Sequence, residues 1–155
     1  MRTLLAAAVL ALAVPAAAQP SGSAEHVTWT ARAERAAPGA TARVVLDARV
    51  APGWRLYALG SPVGIPLTVA LDPLPSGVAA GPLRQSETRT AYDPAFESDY
   101  PYFAGTGRVV QAVRVGRGVA AGRYAVSGSV RYAVCDDRVC LPPSRTTFRV
   151  PLVVE

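Results

Sequence analysis

The sequence predicts an all-β fold, a β-sandwich of short strands, and three observations support this prediction. Apolar and polar residues alternate with a period of two in several separate segments, which is the pattern of half-buried strands. Turn signals drawn from 13 glycines and 14 prolines separate these segments. No window sustains the 3.6-residue period of an amphipathic helix. Together these features favour an immunoglobulin-like β-sandwich of about seven to nine strands and leave a small barrel open.

The N-terminal region has the features of a secretory signal peptide over residues 1–18. Arg2 supplies the positive charge, residues 4–14 form an apolar run too short to span a bilayer, and small residues precede the cleavage position between Ala18 and Gln19. The sequence therefore predicts export to the periplasm of a bacterium, in soluble form and with no membrane insertion of the mature chain.

The mature chain is expected to begin with a flexible lead-in and to continue as one domain. Residues 19–26 are small and polar, so we expect His26 to be solvated there. Residues 27–155 suffice for a single domain with its own core. Seven segments of this domain carry the two-residue alternation: 27–31, 43–50, 54–58, 67–71, 109–115, 124–134 and 146–154.

One long segment lacks the two-residue alternation and is expected to be a long aromatic cap-type loop. Residues 73–107 contain no convincing strand, and loops of this length are usually functional or disordered. Five aromatic rings within residues 92–103 argue against disorder. They either fill a small core beneath the loop or cover a reactive site. We expect both, with Tyr102 and Phe103 as packing residues and Phe96 as the cover.

The two cysteines of the chain, Cys135 and Cys140, are the most informative chemical feature. Four residues separate them, three of which are charged, and Pro142 and Pro143 follow. Such thiols can form a disulfide in an exported protein. Closing a loop of about six residues stabilises a fold by only ~2 kcal/mol, against ~4.7 kcal/mol for a loop of about 100 residues. A weak crosslink in a polar hairpin is better suited to opening and closing, which points to redox chemistry.

Three stretches in this chain order resemble the N-terminal periplasmic domain of the thiol:disulfide interchange protein DsbD. They are residues 52–57 (PGWRLY), residues 92–105 and residues 132–143, and the strongest motif is Cys-x4-Cys followed by an apolar residue and Pro-Pro. The resemblance covers essentially the whole mature chain. It implies an immunoglobulin-like sandwich that needs no cofactor. Its cysteines would accept electrons from a membrane reductase and pass them to periplasmic thioredoxin-like oxidoreductases, a protein-disulfide reductase activity shared with those partners.

The resemblance also assigns residues. Cys135 and Cys140 match the redox pair, and Cys140 is expected to form the mixed disulfide with a partner. Phe96 is the best match to an aromatic residue that shields the pair, with Tyr100 second. Two departures stand out. The chain ends at Glu155 without the membrane and thioredoxin-like domains of DsbD, so the electron donor is expected to be a separate protein. The best-known members also have one more residue between the cysteines.

The surroundings of the cysteines predict a rigid hairpin with weakly activated thiols. Residues 136–139 would form the tip, and the two prolines would stiffen the exit because they fix φ and lack a backbone donor. Asp136 and Asp137 should raise the pKa of a nearby thiol, whereas Arg138 should lower it. We expect slow reaction with small oxidants as a consequence.

Other kinds of function have less support in the sequence. Two cysteines and a distant His26 cannot supply four zinc ligands, no Met or His cluster supports copper, and no catalytic triad can be assembled. The net charge of +5 comes from scattered arginines, which argues against a nucleic-acid site. Two alternatives remain: a non-catalytic secreted interaction module with a structural disulfide, and a chaperone-like domain that binds through its aromatic loop.

Overall fold

A computed structural model describes residues 22–155. The expected signal peptide, residues 1–18, and the first part of the lead-in lie outside the described residues. Within residues 22–155, no helix is long and apolar enough to cross a membrane.

The described chain consists of a short 3-10 turn and eleven β-strands, in agreement with the predicted all-β class. The turn spans Ser23–Glu25. The strands are β1 (Val27–Ala33), β2 (Thr41–Val50), β3 (Arg55–Tyr57), β4 (Thr68–Leu71), β5 (Val78–Gln85), β6 (Arg89–Asp93), β7 (Ser98–Phe103), β8 (Thr106–Val115), β9 (Gly122–Tyr132), β10 (Val134–Cys135) and β11 (Ser144–Val154).

The strands form three antiparallel sheets that together make an immunoglobulin-like β-sandwich. Their strand orders are β1-β2-β8-β5, β10-β3-β7-β6 and β11-β9-β4. The longest ladders join β11 to β9 over eleven residue pairs and β2 to β8 over nine. The small β10-β3-β7-β6 sheet carries both the strand that ends at Cys135 and the aromatic segment.

The main core follows the two-residue alternation that the sequence displays. In β2, Ala42, Val44 and Leu46 are buried, and Val109 and Val113 of β8 belong to the same cluster. Side chains of β9 and β11 complete this cluster, so the core lies between the first and third sheets. Burying one aliphatic side chain contributes about 1.5–3 kcal/mol, and the alternation therefore determines which face of each strand turns inward.

The expectation of a strand-free segment over residues 73–107 is wrong, because β5, β6 and β7 lie within it. β5 is an edge strand containing Gly81 and Pro82, and its pairing with β8 shifts between Ala80 and Leu83. A bulge, a proline and small residues all weaken the alternation, and edge strands tolerate them. β6 and β7 form a hairpin in place of an open loop. These three strands, together with the division of the predicted segment 124–134 between β9 and β10, raise the count from the seven predicted segments to eleven strands.

The expected lead-in is ordered from residue 22 onward. Ser23 is fully buried, and its hydroxyl donates to the Pro142 carbonyl (2.8 Å) and accepts the N–H of Val134 (3.1 Å). His26, which was expected to be solvated, is partly exposed, and its ring stacks on Trp54 at 4.0 Å between centroids. The N-terminal turn thus holds the two chain segments that lead into and out of the cysteine hairpin.

Candidate functional site

The two cysteines are joined in a disulfide at the end of β10. Their Cα atoms lie 4.0 Å apart, and the two residues form an isolated antiparallel bridge. The Leu141 N–H donates to the Val134 carbonyl at 3.0 Å, which closes the hairpin below the disulfide. The hairpin predicted from the sequence is therefore present, with residues 136–139 at its tip.

The tip of the hairpin is fixed by Asp136 in an Asx-type turn. Its carboxylate accepts the backbone N–H groups of Arg138 and Val139, both at 2.7 Å, and its own N–H donates to the Val139 carbonyl at 3.0 Å. The Arg138 and Val139 N–H groups lower the pKa of the Asp136 carboxyl, because they stabilise its charged form. Asp136 is therefore engaged with the backbone of the turn.

The Asp137 carboxylate likewise interacts with a group other than the cysteines. Its carboxylate pairs with the guanidinium of Arg55, which extends over the Tyr102 ring at 5.7 Å from the centroid. Arg55 is the strand partner of Cys135 in the β10–β3 ladder. This ion pair links the hairpin tip to the neighbouring strand.

The two sulfur-bearing residues differ in exposure. Cys135 is 5% exposed and belongs to a second apolar cluster with Tyr57, Val63, Tyr100 and Ala133. Cys140 is exposed. Both residues line the cavity described below, but Cys140 is the more accessible of the two. This difference matters for thiol–disulfide exchange, because access is one of the factors that decide which sulfur is attacked.

The Tyr57 hydroxyl is a polar group in contact with both sulfurs of the disulfide. It lies 3.2 Å from the Cys135 Sγ and 3.7 Å from the Cys140 Sγ. Because disulfide sulfurs carry no proton, the hydroxyl is the donor in both contacts. Burial, followed by the charges of Tyr100 and Asp93, raises the pKa of Tyr57, so the phenol keeps its proton at neutral pH.

The disulfide borders an open cavity of about 560 Å³. The hairpin tip forms one wall, residues 91–95 form another, and the rings of Tyr57 and Tyr100 lie 5.3 Å apart beside the sulfurs. Tyr92 and Val139 line the cavity and are both strongly exposed. The cavity can therefore admit another protein's side chains directly next to Cys140.

The structure brings some of the predicted site residues together and leaves others at the edge. Tyr100 is buried beside Tyr57 and lines the cavity, whereas Phe96 is 63% exposed in the turn between β6 and β7 and does not line it. Of the two expected packing residues, Phe103 enters the main core and Tyr102 packs against the second cluster. Pro142 and Pro143 are exposed beyond the hairpin.

Two residues of the site, Tyr57 and Arg55, were not predicted from the sequence as site residues. A signal for them exists in the alternation of β3, where Leu56 points into the main core and its neighbours must point to the opposite face. Cys135 lies on that face as well, but only the β3–β10 register places it beside them. Among residues 22–155, no group of three or more His, Cys, Asp or Glu side chains could hold a metal ion.

Comparison with known structures gives the same fold. The DsbD N-terminal domain of Neisseria meningitidis, crystallised in the reduced form, matches with a TM-score of 0.51 and 20% identity, covering 71% of this chain and 77% of that chain. The N-terminal periplasmic domain of ScsB from Proteus mirabilis matches with a TM-score of 0.51 and 13% identity, covering 92% of this chain and 49% of that chain. This chain thus spans about half of the ScsB domain.

Comparison by sequence identifies the family. No curated protein sequence matches the chain. The family model described as "Thiol:disulfide interchange protein DsbD, N-terminal" matches residues 25–152, which include the disulfide, Tyr57 and the β6–β7 hairpin. With this match over most of its length, the chain belongs to the family of N-terminal domains of the thiol:disulfide interchange protein DsbD.

Proposed function

We propose that this chain is a periplasmic domain that relays reducing equivalents through Cys135 and Cys140. It accepts two electrons from a membrane reductase and passes them to thioredoxin-like oxidoreductases. The observation that carries the proposal is the pairing of an exposed Cys140 with a buried Cys135 at the edge of an open cavity. The signal-peptide features of residues 1–18 support the periplasmic location.

The exchange proceeds in two balanced steps. In the reduced domain, the Cys140 thiolate attacks one sulfur of the partner's disulfide. An intermolecular S–S bond forms, and the partner's other sulfur leaves as a thiolate. The Cys135 thiolate then attacks the Cys140 sulfur, which restores the internal disulfide and releases the partner's first sulfur as a thiolate. The partner gains two electrons and binds two protons, and the domain loses two electrons. Reduction by the donor follows the same steps in reverse.

The partner docks on the apolar rim of the cavity. Tyr92, Phe96 and Val139 are 60%, 63% and 49% exposed, and all three lie on the β6–β7 hairpin or the cysteine hairpin. Exposed apolar side chains that cluster beside a reactive group are typical of a protein contact surface. The rim therefore supports a protein partner in preference to a small-molecule substrate.

The proposal includes a closed arrangement of the β6–β7 turn in which Phe96 shields the cysteine pair, with Tyr100 as the fixed inner part of the same shield. Tyr100 lies against Tyr57 in the second cluster, whereas Phe96 is exposed in the turn that follows the cavity-lining residues 91–95. For Phe96 to cover Cys140, residues 94–97 bend toward the cysteine hairpin. Docking displaces this turn and exposes the sulfur.

Trapping of a mixed disulfide tests the relay directly. The variant Cys135→Ala keeps the exposed attacking thiol, and the variant Cys140→Ala is its matched control. Each reduced variant is incubated with an oxidised periplasmic thioredoxin-like protein and separated without reductant. We expect a covalent heterodimer that contains Cys140, at least tenfold more abundant than the one formed by the control. Failure of both variants to trap any partner would favour a structural disulfide.

Equilibration with glutathione separates the same two functions without a partner. A relay must exchange reversibly within the range of thioredoxin-like proteins, from about −120 to about −270 mV. Structural disulfides of secreted proteins lie below about −300 mV. We expect the wild-type chain to titrate in the first range when the thiols are counted by alkylation and mass.

A further inference from the structure

Gly64, in the loop between β3 and β4, lies directly against the end of the Tyr57 side chain. A Cβ atom at this position would lie 2.3 Å from the Tyr57 Cζ and 2.6 Å from its hydroxyl oxygen. Atoms that are not bonded do not approach so closely, so any side chain here requires the ring or the loop to move. The Tyr57 phenol can therefore occupy its present position only because residue 64 is a glycine.

The loop that carries Gly64 is held from several sides. The side-chain oxygen of Gln85, in β5, accepts a hydrogen bond from the Leu59 N–H at 2.9 Å. The side-chain NH2 of Gln85 donates to the Leu59 carbonyl at 3.3 Å. Ser61 is buried and donates to the Val63 carbonyl at 2.8 Å. Val63 itself is buried in the second cluster beside Cys135. Because these contacts oppose a retreat of the loop, a Cβ at residue 64 displaces the phenol.

The same end of the Tyr57 side chain contacts both sulfurs. Its hydroxyl is 3.2 Å from the Cys135 Sγ and also lies 3.7 Å from the Cys140 Sγ, and the ring is confined by Tyr100. We propose that Gly64 is a positioning residue for the exchange reaction: it sets the depth of the Tyr57 ring so that the hydroxyl reaches the sulfurs. This inference rests on the proposed function, because positioning has a consequence only if the sulfurs react.

The chemical consequence concerns the reduced state. An O–H group that donates to a thiolate stabilises the charged form and lowers the pKa of the thiol. A hydrogen bond to a charged group is strong enough that its loss moves a pKa by about one unit. Displacement of the Tyr57 hydroxyl should therefore raise the pKa of the Cys140 thiol by about one unit. The fraction of Cys140 present as thiolate at pH 7 should then fall by about tenfold.

The other titratable and charged groups around the site are the same in the wild type and in the glycine variants. They come from β3, β6, β7 and the hairpin tip: Arg55, Tyr92, Asp93, Tyr100, Asp136, Asp137 and Arg138. None of them is among the atoms nearest to a Cβ at residue 64. The direct effect of that Cβ therefore falls on Tyr57, and the Tyr57→Phe background separates it from an effect on the other groups.

The chain offers a matched control for the test. Gly60 lies in the same loop with φ +70°, close to the +68° of Gly64, and a Cβ there would meet no atom within 4 Å. Gly60→Ala and Gly64→Ala therefore impose the same left-handed backbone strain, and only the second displaces Tyr57. The readout is the rate of iodoacetamide alkylation of Cys140 in the reduced protein against pH, assigned by peptide mass.

We expect Gly64→Ala to raise the midpoint of the alkylation profile by about one pH unit, as Tyr57→Phe does, whereas Gly60→Ala leaves it within about 0.2 units of wild type. In the Tyr57→Phe background, Gly64→Ala should add no further shift, because the hydroxyl is already gone. Equal midpoints for the two glycine variants would overturn the inference. A shift that Gly64→Ala still produces in the Tyr57→Phe background would also overturn it. So would an unchanged midpoint in Tyr57→Phe alone, a variant that keeps the fold even if Gly64→Ala does not. Alkylation needs no partner protein, so these outcomes are distinct from a failure to trap a mixed disulfide.

Discussion

The substitution Ser23→Ala should destabilise the base of the cysteine hairpin. Ser23 is fully buried, and its hydroxyl is the acceptor for the N–H of Val134, which is itself 0% exposed. The variant leaves that N–H without its acceptor, at a cost of about 1–3 kcal/mol. The Pro142 carbonyl keeps the Ser23 N–H at 3.3 Å, so it loses only one of two donors. We therefore expect a decrease of about 2 kcal/mol in the free energy of unfolding.

Urea denaturation of the oxidised protein measures this change. With an m-value of about 2 kcal/mol/M for a domain of this size, the midpoint should fall by about 1 M. Ser129→Ala is the matched control, because Ser129 is 9% exposed and its hydroxyl has only a 3.4 Å contact from Arg145. The control should lose less than ~1 kcal/mol. If Ser23→Ala lowers the midpoint no further than Ser129→Ala, the N-terminal turn does not hold the hairpin.

Three further predictions concern the cavity and its hairpin. Phe96→Ala should change the free energy of unfolding by no more than ~0.5 kcal/mol, because the ring is exposed. If the ring shields the disulfide, the variant should be reduced several-fold faster by dithiothreitol. An unchanged rate of reduction would contradict the proposed shield. The turn bonds lower the folded-state pKa of Asp136, so the stability they contribute is present above the unfolded pKa of about 3.9 and is lost as pH falls through the folded value. The stability difference between wild type and Asp136→Ala should accordingly shrink below about pH 4, and a difference independent of pH between 2 and 7 would exclude this role. Reduction of the disulfide should lower the free energy of unfolding by ~2 kcal/mol, and a loss above ~4 kcal/mol would indicate a structural crosslink.

The sequence predicted the parts of the fold that depend on local pattern. The alternation in β2, β8, β9 and β11 is strong because one face of each strand is buried, so the all-β class was predictable. β5 was missed because a bulge and Pro82 interrupt its period at a sheet edge. β6 and β7 were missed because aromatic residues occupy both faces of a small sheet. In each case the signal of a single strand is weak, and pairing with neighbours determines the structure.

The cysteine pair was predictable and most of its surroundings were not. Cys135 and Cys140 are five positions apart, so their approach is a local property of one hairpin. Tyr57 reaches them from a strand that lies 78 positions earlier in the sequence. Ser23 reaches the same hairpin across 111 positions. Local spacing contains no information on such contacts, and their position follows only from the order of strands in the sheets.

The geometry of β3 and β10 explains how one domain can combine a stable core with a disulfide that opens. Leu56 and Val134 pair across the two strands, and both are fully buried in the main core. Tyr57 and Cys135, the next residues along the chain, face the second cluster instead. The same two strands are thus anchored on one side and reactive on the other. Cys135 belongs to the second cluster and not to the larger core, so we expect reduction of the disulfide to leave the sandwich folded.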